Sequence, residues 1–163
     1  MESKAKLLGH PIHPMLIVLP LGLFIAAVIF DLLYLWRGST AFATVAYWNI
    51  AAGIVGGLLA AVFGLIDWVA IPAGTRAKRI GLLHGGANVV VVLIFAVVWL
   101  MRKDTPEMLP TTMQFLLEVV ALGLGSVAGW LGGELVDRLG VGVDDGAHLD
   151  APSSLSGRPA RQR

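Results

Sequence analysis

The chain of 163 residues contains no cysteine. That excludes a disulfide framework and any thiolate metal site. Charge is scarce as well. Only 14% of the residues are Asp, Glu, Lys or Arg, against about 25% in a soluble domain. Twelve basic and eleven acidic side chains leave a net charge of +1, which excludes a strongly basic surface for nucleic acid. Scarce charge combined with abundant apolar residues also excludes a wholly disordered chain. What fills the sequence instead is hydrophobic residue types at 56%, together with 20 glycines. The mean hydropathy is +0.78. This composition argues against a soluble enzyme and for a chain whose solvent is a lipid bilayer.

A membrane-spanning helix needs about 20 predominantly apolar residues. Four stretches qualify, at about 15–36, 45–71, 80–101 and 113–139. They are continuously apolar rather than alternating, and in hydrocarbon a helix satisfies its own backbone. Lys4 and Lys6 precede the first run as in a signal peptide, but its length and the missing small-residue cleavage site favour a mature span. The connections are short, and Pro106 and Pro110 block helix continuation in the third. Short loops make antiparallel neighbours. The expected fold is an all-α integral membrane protein, an up-down four-helix bundle over residues 1–143, followed by a disordered polar tail over 144–163.

Lysine and arginine in short loops set orientation. Lys4, Lys6, Arg76, Lys78, Arg79, Arg138, Arg158, Arg161 and Arg163 fall on the side of the termini, and Arg37, Arg102 and Lys103 on the other. This asymmetry places both termini in the cytoplasm.

Two further patterns concern packing. Gly53, Gly57 and Ala61 repeat every four residues, as do Gly56, Ala60 and Gly64, and Gly125, Gly129 and Gly133. Small residues at this spacing allow close helix approach, within the bundle, in a homo-oligomer or around a flat cofactor. Trp36, Trp48, Trp68, Trp99 and Tyr34 lie near span ends and read as interfacial anchors.

Ionisable residues inside spans are costly and mark candidate sites. On the side of the termini lie His10, His13, Asp67, His84 with Asn88, and Glu134; on the far side lie Asp31, Asn49 and Glu118. Asp31, Asp67 and Glu134 sit near helix C-termini, where the dipole opposes a carboxylate. Arg76 or Arg79 could compensate Asp67, and Arg138 could compensate Glu134. His84 lies one turn inside its helix, at the positive end, which favours the neutral imidazole that binds metals. Gly85 and Gly86 beside it leave room for an approaching group. Imidazole and carboxylate together suit zinc, iron or manganese, and two histidines alone suit haem b. Three readings follow. The first is a haem or metal site on His10, His13 and His84, with Asp67 and Glu134 as metal ligands or as partners of the imidazoles. It would serve electron transfer or redox sensing with a quinone or a redox protein. The second is a structural or assembly subunit without a cofactor. The third is a small proton-coupled transporter, which the apolar middle of every span opposes. No catalytic residue is identified, and the chain does not read as an enzyme on its own.

The segments HPIHPMLIVLPLGL, FDLLY, GLIDW, LLHGGANVV and GWLGGELVDRLGVGV occur in this order between Gly9 and Val143. Together they resemble the bacterial predicted membrane protein family called domain of unknown function 2231. The resemblance implies four spans in a bacterial inner membrane. It places the family's recurrent polar positions on His10, His13, Asp31, Asp67, His84, Asn88 and Glu134. Fusion of some members to Rieske-type domains implies a redox neighbourhood.

Overall fold

The computed structural model describes residues 1–160. Arg161 and Arg163, which entered the orientation argument, lie outside the described residues. A two-stranded antiparallel hairpin opens the chain, with β1 at Lys6–Leu7 and β2 at His10–Pro11. Five α-helices follow: α1 (Ile12–Leu16), α2 (Val18–Arg37), α3 (Thr40–Ala70), α4 (Arg76–Arg102) and α5 (Thr112–Gly133). One turn of π-helix, Glu134–Arg138, extends α5. Counting α1 with α2, four helical segments are long and apolar enough to cross a membrane.

Local chemistry sets the boundaries. α1 and α2 are separated at Ile17, three residues before Pro20. Proline has no N–H to return to the Leu16 carbonyl, so the helical ladder is interrupted there. α2 ends on Gly38 at φ 72°, whose N–H returns to the Tyr34 carbonyl; this is the left-handed cap that glycine adopts without a Cβ penalty. Thr75 caps α4 by accepting from the Lys78 amide. Thr111 and Gln114 form a reciprocal capping box at the start of α5.

α2 packs along α3 and α4 along α5, and the two pairs join mainly through α3 and α4. The centre is apolar. Phe24 of α2 and Phe95 of α4 stack face to face with centroids 4.0 Å apart, among Ala27, Ile50, Val91, Val98 and Ala121. Glycine makes this possible: a Cβ at Gly53 would lie 2.6 Å from the Phe24 ring, and one at Gly57 3.0 Å from Val92. These positions of the small-residue repeat in α3 are therefore filled by the chain's own side chains. In α5, by contrast, nothing lies within 4 Å of a Cβ built at Gly129.

The N-terminal segment meets residues 140–145 at one end of the bundle. The Gly142 amide donates to the Met1 carbonyl, and Lys6 pairs with both Glu2 and Asp144. Residues 145–160 run through turns and one 3-10 turn at Ser154–Ser156, and Ser154 packs against Gly9 so closely that a Cβ there would meet it at 2.7 Å.

Candidate functional site

Two polar clusters sit at opposite ends of the bundle, with the phenylalanine stack between them. At the end that carries the termini, two histidines are docked in the same way. The His13 Nδ1 lies 2.8 Å from the Ala60 carbonyl on α3, and the His84 Nδ1 lies 2.8 Å from the Ala128 carbonyl on α5. Each ring also rests on the glycine four residues further along that neighbouring helix. A Cβ at Gly64 would lie 2.9 Å from the His13 ring, and one at Gly132 would lie 3.0 Å from the His84 ring. An Ala-x-x-x-Gly notch thus exposes a helical carbonyl twice, and an imidazole enters each time. A carbonyl only accepts, so Nδ1 carries the proton in both rings, and a neutral imidazole then keeps its lone pair on Nε2. The ring centroids are 6.2 Å apart with planes at 87°. Asn88 donates to the His84 carbonyl at 2.9 Å and stands 3.4 Å from the His84 Nε2, beyond the usual hydrogen-bond range.

The other residues expected at this end do not join the pair. His10 lies exposed in β2, 3.4 Å from the Ser154 hydroxyl. Asp67 is held by the Ser3 hydroxyl at 2.8 Å, the Lys4 amide at 2.7 Å and the Ala5 amide at 3.4 Å. Its compensating partners are thus hydrogen-bond donors of the N-terminal segment, not Arg76 or Arg79. Glu134 pairs with Arg76 at 2.6 Å, not with Arg138, because the arginine opening α4 faces the end of α5. Among the described residues, no three histidine, aspartate or glutamate side chains assemble to hold a metal ion. The four-helix His/carboxylate ligand cluster expected from the sequence is therefore corrected to a histidine pair. Asp31, one of the recurrent polar positions, lies at the opposite end, on the far side expected for it.

That opposite end holds the arrangement the sequence reading missed. Arg102, the last residue of α4, is 0% exposed, as are Asp31 of α2 and Glu118 of α5. Its five N–H groups have five acceptors. Nη1 and Nη2 form a fork on Asp31 at 2.6 and 3.1 Å. Nη1 also reaches Glu118 Oε1 at 3.4 Å, Nη2 the Ala43 carbonyl on α3 at 3.0 Å, and Nε the Met108 carbonyl at 2.9 Å. One guanidinium therefore ties all four spans and the loop before α5. That loop is strained: Glu107 and Met108 both take left-handed φ values, 53° and 58°, which cost roughly 1–2 kcal/mol each in a residue with a Cβ. The hydrogen bond from Arg102 to Met108 offsets part of that cost. Tyr47 stacks on Trp99 and lies beneath the guanidinium.

Two tryptophans read as lipid anchors have other tasks. Trp99 belongs to this cluster. Trp68 donates to the Lys78 carbonyl, accepts Lys78 Nζ on its own carbonyl at 2.6 Å and lies under that ammonium, locking the turn between α3 and α4. Trp36 and Trp48 remain largely exposed, as interfacial residues are.

The sequence carried a signal for the arginine cluster. Asp31, Glu118 and Arg102 share a depth and a side, but Arg102 adjoins Lys103 and a loop and so resembles a solvated cation. Which way a terminal arginine turns depends on helix rotation, which apolar runs do not record.

No curated protein and no solved structure was found to match the chain. The family described as predicted membrane protein (DUF2231) matches over residues 9–145, and the chain belongs to it: it is a membrane protein of the domain of unknown function 2231 family.

Proposed function

We propose that His13 and His84 would hold a haem b, and that the protein would transfer electrons through it to a quinone or a redox protein. The observation that carries this reading is the duplicated notch. Both imidazoles donate Nδ1–H to a backbone carbonyl, the arrangement that fixes a ligand's tautomer and raises the basicity of its other nitrogen. The ring centroids stand 6.2 Å apart, close enough for both imidazoles to reach one metal at about 2.0–2.1 Å from each ring nitrogen. Haem iron takes its remaining four ligands from the porphyrin, so two histidines suffice. A tetrahedral zinc site would need two more ligands, and Asp67 and Glu134 are engaged elsewhere. Space beside His84 favours an approaching group, since nothing lies within 4 Å of a Cβ built at Gly85 or Gly86. The weak contact from Asn88 to the His84 Nε2 would be given up on binding. By the lysine and arginine asymmetry, this end of the bundle faces the cytoplasm of a bacterial inner membrane. Burial of Arg102 removes one of three far-side cations and sharpens that asymmetry.

A structural subunit without a cofactor is the second reading. It is favoured by the protein partners of Asp67, Glu134 and Asp31. Transport draws no support, since the stacked phenylalanines close the middle of the bundle. An absorption spectrum of the protein purified in mild detergent and supplied with haem separates the first two. The haem reading expects a Soret band that His13→Ala and His84→Ala each remove. A folded, colourless protein under those conditions overturns it and leaves the structural reading.

A further inference from the structure

The cluster at the opposite end has a surplus charge. Asp31 and Glu118 bring two carboxylates, and Arg102 brings one guanidinium, all 0% exposed. Facing them from the other elements are the Ala43 carbonyl of α3, the Met108 carbonyl of the loop and the Tyr47 ring, none of which is cationic. With both carboxyl groups ionised, a net negative charge would be buried in hydrocarbon, where an unpaired ion is strongly disfavoured. The two carboxylates are not equivalent. Asp31 takes the bidentate fork at 2.6 and 3.1 Å, the strongest ionic geometry. Among the described residues, the one donor that reaches Glu118 is Arg102 at 3.4 Å, and the Glu118 Oε2 is buried with no donor to it; the Asp31 carboxylate beside it is an acceptor. A buried anionic oxygen without a donor is costly, whereas a carboxyl O–H is itself a donor.

We infer that Asp31, Arg102 and Glu118 form a proton-binding site within the membrane, holding one exchangeable proton on Glu118. Binding is a plain protonation: Glu118 gains a proton from water and the cluster becomes neutral. The site shares no residue with the histidine pair, which lies at the other end of the bundle.

Infrared spectroscopy of the purified protein in lipid at neutral pH tests it. The wild type is expected to show the C=O stretch of a buried protonated carboxyl group, and Glu118→Gln to lose it. Because the amide mimics the protonated acid, Glu118→Gln should leave the thermal midpoint within about 2 °C, while Asp31→Asn lowers it by roughly 10 °C. If Glu118→Gln does not fold, Glu118→Asp, which keeps the acid and moves the band, gives the assignment. Absence of the band in the wild type, its persistence in Glu118→Gln, or equal damage by Glu118→Gln and Asp31→Asn would each overturn the inference.

Discussion

Replacing Arg102 with alanine should be the most damaging single truncation at the end of the bundle away from the termini. The change leaves Asp31 ionised without its fork and removes donors from the Ala43 and Met108 carbonyls. Breaking a buried ion pair by deleting one partner costs about 3–5 kcal/mol. For a chain of this size each kcal/mol lowers the midpoint by about 2–4 °C, so a fall of roughly 6–20 °C is expected. Arg37 provides the control, since it lies exposed over Trp36 and its truncation should cost no more than about 0.5 kcal/mol. Arg102→Lys should fall between the two. An ammonium has three donors against the five used here and cannot form the fork. Heating detergent-solubilised variants and following the monodisperse fraction by size-exclusion chromatography gives the midpoints. A variant that removes all three ionisable side chains, with Asp31→Leu, Arg102→Met and Glu118→Leu, should recover much of the loss, because the uncompensated ion is gone. Equal midpoints for Arg102→Ala and Arg37→Ala would refute the reasoning. So would a charge-free triple variant less stable than Arg102→Ala.

Two further outcomes can be measured. Gly132→Ala places a Cβ 3.0 Å from the His84 ring and should cost about 1–3 kcal/mol as overpacking, while Gly129→Ala, where space is open, should be neutral or mildly stabilising; the thermal midpoints of the two variants decide. At the termini, the Lys6 ammonium lowers the Glu2 carboxyl below its usual range, and the Asp144 and Glu2 carboxylates raise Lys6 above its own. The Glu2 contribution is present above the ordinary glutamate range and lost as pH falls through its lowered value. The Lys6 contribution is present below the ordinary lysine range and lost as pH rises through its raised value. Protection of the Asp145 amide, which donates to Glu2, from hydrogen exchange should therefore be greatest across neutral pH, measured relative to the intrinsic rate, and fall at both extremes.

What could be read beforehand follows the physics of each feature. Continuous apolar runs gave the four spans, because length and hydropathy act residue by residue. Their ends shifted outward: α3 begins at Thr40 rather than near Val45, and α4 takes in Arg76, behind the Thr75 cap, and Arg102. His13 and His84 were identified as candidates from depth and side. Their notches were not, since the glycines beneath them look like ordinary packing repeats until two helices are placed together. Asp67 and Glu134 were assigned the wrong partners for a related reason. Arginines lie near both carboxylates in sequence, but Asp67 is held by Ser3, 64 residues away, and Glu134 by an arginine 58 residues away.

The arginine clamp also imposes an order on synthesis. Asp31 enters the membrane on the first span, 71 residues ahead of the guanidinium that neutralises it, whereas Arg102 and Glu118 are separated by only 16. A nascent chain holding only its first two spans carries an acid with no counter-ion, and that helix is held less firmly in lipid. Emergence of the third span supplies the cation, and the fourth completes the set. The clamp therefore closes only when every span has been made.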